Sequence, residues 1–243
     1  MATRTDYRNI PLTRALFTAI ALLTFAASQA HAVSVNIPNF SFENPVTGGA
    51  IGEIDDWTDP NGCCDGVFVS PGFGQGAAPT DGNQIAFNNA DIGQIFQTLV
   101  DTYQANTGYE LSVDVSARAG PAGTDMVMVL YEGVISDFAD LNAGNIVAQR
   151  TLTGADGVVA DQFNTFSLTA VAADVATAAA AGQSIGIGFF GAGGGTTGNS
   201  DFDLDNVRLE ATAANVVPEP ATFSLAALGL LSLGVVGWRR RRR

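Results

Sequence analysis

Carboxylic acids are the only side chains between residues 33 and 212 suited to moving protons near neutral pH. His31 is the only histidine of the 243-residue chain, and there is no lysine. Of the 24 acidic residues, 22 lie from Glu43 to Glu210, and Arg118, Arg150 and Arg208 are the only cations among them. Without His or Lys the segment builds no Ser-His-Asp triad, no Ser-Lys dyad and no Schiff base. It builds no His-containing zinc site either. Carboxylate-only chemistry remains open, such as glycoside hydrolysis by an Asp/Glu pair. No carboxylate has an identifiable catalytic neighbour along the chain. The leading expectation is therefore a non-enzymatic protein, with a carboxylate-based enzyme as an alternative.

The same charge balance speaks against nucleic acid, whose phosphates need Lys and Arg. It disfavours anionic lipid and favours solubility and cation binding. Asp55, Asp56, Asp59 and Asp65 form one acidic group, read either as a solvated loop or as ligands of an ion. The only cysteines, Cys63 and Cys64, are adjacent. A strained disulfide between them, a redox pair and an intermolecular bond all stay open. Stacking on a ligand needs an exposed aromatic. Trp57 is the candidate, read more readily as a plug in the core, and Tyr103, Tyr109 and Tyr131 fall in or near alternating runs.

Short strands must position these groups. Gly, Asn, Asp and Pro punctuate the chain, with apolar or alternating runs between them. Strands are predicted over 66–70, 84–88, 93–99, 109–117, 125–131, 146–151, 163–170, 184–190 and 201–210. Residues 111–116 alternate apolar and polar, which gives one buried and one wet face. In 202–209 the apolar set changes phase, and a β-bulge near Asp205 and Asn206 reconciles it. The Ala-rich stretch 171–181 reads as a connection or a short helix. The expected class is all-β, a two-sheet antiparallel jelly-roll sandwich over 33–212.

The two ends carry addresses. Arg4, Arg8 and Arg14 precede an apolar run over 15–27, and Ala30-His31-Ala32 offers small residues for cleavage. Residues 1–32 thus read as a signal peptide. At the other end, Pro218-Glu219-Pro220 leads into an apolar run over 223–238, closed by arginines at 239–243. That run is short for a spanning helix, but Trp238 and the arginines suit a tail anchor with the domain outside.

Two resemblances add to this reading. The Pro-Glu-Pro, apolar segment and Arg cluster of 213–243 resemble the PEP-CTERM sorting tail of Gram-negative bacteria. The resemblance implies exosortase processing of an inner-membrane precursor, and a final place at the cell surface or in an extracellular polysaccharide matrix or biofilm. The opening Asn39-Phe40-Ser41-Phe42-Glu43 and the closing Asp205-Asn206-Val207-Arg208-Leu209 resemble the first and last strands of galactose-binding-like jelly rolls. Asp56-Trp57-Thr58, Thr80-Asp81-Gly82 and the Gln-containing stretch 94–99 fit the same family, that of many carbohydrate-binding modules. It implies that the first and last strands lie together. It also implies a calcium ion held by Glu43 and Asp205. Some jelly rolls of this kind are acid-catalysing cyclases. A glycan-binding module is the remaining alternative.

Overall fold

Strict alternation makes β5 (Thr107–Ala117) the template of one sheet. Tyr109, Leu111, Val113 and Val115 are buried, while Glu110, between Tyr109 and Leu111, is exposed. This is the two-residue period of a strand with one face on a core. The structure is a computed structural model that describes residues 31–60, 65–72, 75–88, 93–118, 126–142, 144–191 and 201–214. The signal segment 1–30, Cys63, Cys64 and the sorting triplet Pro218, Glu219 and Pro220 lie outside the described residues. Among those described, no helix is long and apolar enough to cross a membrane.

The other strands are β1 (Ala32–Val35), β2 (Asp65–Val69), β3 (Gln84–Asn88), β4 (Gln94–Thr102), β6 (Met126–Glu132), β7 (Ile146–Leu152), β8 (Asn164–Ala170), β9 (Ser184–Gly191) and β10 (Phe202–Ala213). They form two antiparallel sheets, as a jelly-roll sandwich requires. One runs β2-β3-β10-β5-β8 with β1 added on β10, and the other runs β4-β9-β6-β7. The core between them joins Val67, Ala86, Leu111, Val113, Phe202, Leu204 and Leu209 to Ile95, Met128, Ile187 and Phe189.

β10 organises the first sheet. Its first residues pair with β3 and its last with β1, both on one edge, while β5 lines the other edge throughout. The register slips between Asp205 and Arg208, where the change of phase predicts a bulge. First and last strands do lie together, but the first is Ala32–Val35. Residues 37–43 form turns instead, with Asn39 and Phe42 in the left-handed region. Val207 N–H donates to Phe40 O at 2.9 Å and holds that turn on the bulge. The Ala-rich connection holds a short helix, α1 (Ala176–Ala181), ended by Gly182 at φ 66°, whose N–H caps the last carbonyls.

Candidate functional site

The outer face of the six-stranded sheet carries polar residues that are nevertheless dry. Asp203 on β10 is opposite Phe87 of β3 on one side and Ser116 of β5 on the other. Two residues along, Asp205 is opposite Asp114, which is itself opposite Thr165 of β8. Phe68, Ile85, Phe87 and Phe163 form an apolar cluster beside them, separate from the inner core. Asp203, Asp205 and Ser116 are fully buried and Asp114 is 4% exposed. Two loops cover the face. Gln75, from the first, donates to Ser116 Oγ and to Asp203 Oδ2, each at 2.9 Å. Asp161, from the second, accepts from Gly76 N–H and ties the loops together.

Arg118, just beyond β5, packs against this face. Its Nη2 donates to Asp203 Oδ1 at 2.7 Å and its Nε to Oδ1 at 3.1 Å. Its guanidinium carbon lies 5.2 Å from the centroids of both Phe68 and Phe87, rings that are themselves 5.8 Å apart. Burial pushes the Asp203 carboxyl up, against Arg118 and Gln75, which hold it down. Arg150 and Arg208 also pair with aspartates, Asp156 and Asp114, but their side chains are 40% and 43% exposed against 14% for Arg118. Exposed pairs contribute little, so Arg118–Asp203 is the pair with a role to explain.

Asp205 is built differently. Its Oδ2 accepts from Thr80 N at 2.6 Å, Thr80 Oγ1 at 2.9 Å and Asp81 N at 2.9 Å. Its Oδ1 accepts from Asn206 N at 2.7 Å. Glu43 Oε1 accepts from Asn83 N at 2.8 Å and Gln84 N at 2.7 Å. The two carboxylates expected to hold calcium therefore grip one turn, 80–84, through N–H and O–H donors. Among the described residues no group of three or more Asp, Glu, His or Cys is arranged to hold a metal. As arranged, Glu43 and Asp205 both clamp the 80–84 turn.

Burial pushes the Asp205 carboxyl up to about 6, even with those hydrogen bonds opposing it. A raised carboxyl stabilises the fold below its unfolded value, near 4, and the contribution is lost as pH rises through about 6. Thr80 Oγ1 links it to Asp114, Asp81 donates its N–H to it, and Arg208 pairs with Asp114. Urea unfolding between pH 4 and 7 is expected to show a loss of up to about 3 kcal/mol from this group. That slope should flatten in Asp205→Asn.

Trp57 is 8% exposed and lies in the core, its ring 5.2 Å from Phe42 and 6.1 Å from Phe189. Its Nε1 donates to Asn39 O at 3.1 Å. A ring with so little exposed surface has no face to offer a ligand. Tyr103, Tyr109 and Tyr131 are equally buried.

The HpiC1-like family model, described as HpiC1 cyclase, matches residues 33–210. The chain belongs to the HpiC1-like family. This corrects the expectation of a non-enzyme, since the family description is that of a cyclase. Asp203 draws its neighbours from β3, β5 and a loop, not from residues adjacent in the chain. Among solved structures, the HpiC1-like chain is similar to a Stig cyclase of Fischerella sp. TAU crystallised with (3Z)-3-(1-methyl-2-pyrrolidinylidene)-3H-indole. Identity is 22%, coverage 76% of this chain and 100% of that one, and the TM-score 0.58. A second cyclase structure from Fischerella sp. TAU is 23% identical, with 76% and 99% covered and a TM-score of 0.57. At these identities the likeness shows the shared fold. A xylan-binding domain from Paenibacillus barcinonensis is also similar, at 17% identity, 77% and 98% coverage and a TM-score of 0.44. The PEP-CTERM protein-sorting motif matches residues 216–243, so this HpiC1-like chain carries an export and sorting address. None of the curated proteins compared matches the chain.

Asp203, Arg118, Phe68 and Phe87 were not singled out by sequence reasoning as a site. Asp203 sits in the closing motif, but alternation reads its face as wet. The only usable signal was that Arg118 is one of three arginines in an acidic domain.

Proposed function

We propose that this chain is an exported, acid-catalysing cyclase that works at Asp203, on the outer face of the six-stranded sheet. The observation that supports it is the seat of Arg118. A planar, delocalised cation rests on two aromatic rings and donates N–H groups to a buried carboxyl. A slot that holds such a group is matched to a planar substrate that becomes cationic when protonated. The compound bound by the Fischerella cyclase is a conjugated indole–pyrrolidine, and its protonated form has that character. The substrate class is accordingly an indole-type heterocycle bearing an unsaturated chain.

When substrate displaces Arg118, Asp203 loses its counter-charge, and burial then favours the protonated carboxyl. The carboxyl gives its proton to the substrate. The resulting cation lies against the Phe68 and Phe87 faces and the new carboxylate. A neighbouring double bond closes the ring onto it, and the carboxylate recovers a proton from the closed product. The reaction is an isomerisation and needs no oxidant or co-substrate. Signal cleavage after Ala32 and exosortase action near Pro218, Glu219 and Pro220 place the domain at the cell surface or in the extracellular matrix. The glycan-binding reading draws no support from Trp57 or the tyrosines, which are buried.

Titration of the chain with the indole–pyrrolidine compound, followed by calorimetry, tests this reading. Arg118→Ala removes the internal occupant of the slot and is expected to bind about tenfold more tightly than wild type. Absence of saturable binding to both proteins would remove the slot from consideration.

A further inference from the structure

Every polar atom of Gln75 has a partner, and together they fix the side chain in one orientation. The residue is 2% exposed. Its main chain is locked to Gly72 by N–H···O bonds of 2.9 Å in both directions. Its Oε1 accepts from Ala77 N–H at 3.0 Å. Its Nε2 donates to Asp203 Oδ2 and to Ser116 Oγ, each at 2.9 Å. Ser116 Oγ spends its own hydrogen on main-chain oxygens, Ala117 O at 3.1 Å or Val159 O at 3.4 Å, and so accepts from Gln75. A primary amide has two donor hydrogens and one acceptor oxygen. Turned over, this one would set oxygen against the Asp203 carboxylate and nitrogen against the Ala77 N–H. The network admits only the orientation in which Gln75 gives N–H to Asp203.

The two oxygens of Asp203 are therefore unlike. Oδ1 takes the two shortest bonds from Arg118, 2.7 Å from Nη2 and 3.1 Å from Nε, while Oδ2 meets Arg118 Nε only at 3.4 Å. Oδ2 instead faces the Gln75 N–H, a group with nothing to accept a hydrogen. A hydrogen placed on Oδ2 would set donor against donor in a buried site, at the cost of an unmade hydrogen bond. A hydrogen on Oδ1 keeps the Gln75 bond, because Oδ2 is then the carbonyl oxygen of the acid and still accepts.

We propose that Gln75 is a positioning residue that keeps the acidic hydrogen of Asp203 on Oδ1, the oxygen turned to Arg118 and the slot over Phe68 and Phe87. This role rests on the cyclase reading above and says which oxygen of its acid carries the proton. In the cycle the Oδ1–H bond breaks as its hydrogen goes to the substrate, and the bonding pair stays on the carboxylate. Gln75 donates to Oδ2 before and after that change of charge, with no rearrangement. The closed product returns a proton to Oδ1 and restores the acid. Two variants of the full chain test this against an indole-type substrate with an unsaturated chain, with Asp203→Asn and thermal melts alongside. Gln75→Met keeps an unbranched side chain and removes the donors. Gln75→Glu keeps the shape and an acceptor for Ala77 N–H, but sets an oxygen against Oδ2 and draws the hydrogen there. The expected fall in kcat is about tenfold for Gln75→Met and about a hundredfold for Gln75→Glu, with KM within about twofold of wild type because neither change touches Phe68 or Phe87. Either variant carries the test alone if the other does not fold. A residue that only held the loop would lower the melting midpoint and leave the kcat of folded protein unchanged. A wild-type kcat in a folded Gln75 variant, with Asp203→Asn inactive, overturns the positioning role and leaves the acid in place. A raised KM with kcat unchanged overturns it too, because Gln75 then binds substrate. Wild-type turnover by Asp203→Asn removes the acid itself, and the positioning role with it.

Discussion

Asp203→Asn is expected to lower cyclisation by about 10²–10⁴-fold, the usual worth of a positioned general acid. The substitution keeps the shape of a side chain that is fully buried among Gln75, Ser116, Phe87 and Arg118. An amide accepts hydrogen bonds but cannot deliver the proton. The assay follows conversion of an indole-type substrate with an unsaturated chain by chromatography and mass spectrometry. Product has the same mass and a different retention, because ring closure is an isomerisation. A thermal melt of the variant accompanies it, since the substitution also leaves the Arg118 guanidinium without a carboxylate. A folded Asp203→Asn protein that turns over at the wild-type rate would rule Asp203 out as the acid. A rate loss in a folded variant, with an Arg118→Ala protein that still turns over, would locate the proton donor and leave Arg118 as the slot's resting occupant.

Gly66→Ala carries the largest expected effect on stability, a loss of about 3 kcal/mol or more. Gly66 lies within β2 at φ 151°, where an added Cβ would stand 2.0 Å from the carbonyl oxygen of Ile51. That atom is main chain and cannot swing aside. Ile51 and Val67 exchange N–H···O bonds of 3.0 Å in both directions, and the intrusion breaks that exchange. Loss of the bridge removes the main-chain pairing of Ile51 with β2. The melting midpoint should fall by roughly 6–12 °C for a domain of this size. Gly157→Ala is the control. Gly157 also has a positive φ, 95°, but nothing stands within 4 Å of its added Cβ. Its cost should be about 1 kcal/mol, from backbone strain alone. Equal losses for both variants would show that close approach at Gly66 is unimportant.

Strands were legible from sequence because alternation and turn residues are local. Residues 84–88 and the start of the strand at Ile146 agree residue for residue, and the change of phase after Phe202 foretold the register slip between Asp205 and Arg208. The C-terminal sorting address was legible for the same reason, being a short contiguous pattern, and the motif matches at 216–243. The first strand was not. Ala32–Val35 has too few residues to show a period, while 37–43 resembles a strand in composition and turns in space.

By itself the sequence determined the chemistry available: no histidine or lysine in the domain, three arginines, and carboxylates in excess. With no histidine or lysine, Asp and Glu are the abundant proton carriers of the domain. Which carboxylate, and under what burial, was decided only by tertiary structure. Asp203, Phe87, Arg118 and Gln75 meet because β10 lies between β3 and β5 and a loop folds over them. A polar residue at an alternating position reads as wet when the rest of its face is unseen. Loops far away in the chain covered that face here, and removing water from a carboxyl is what turns a solvated surface charge into a group able to hold or give a proton.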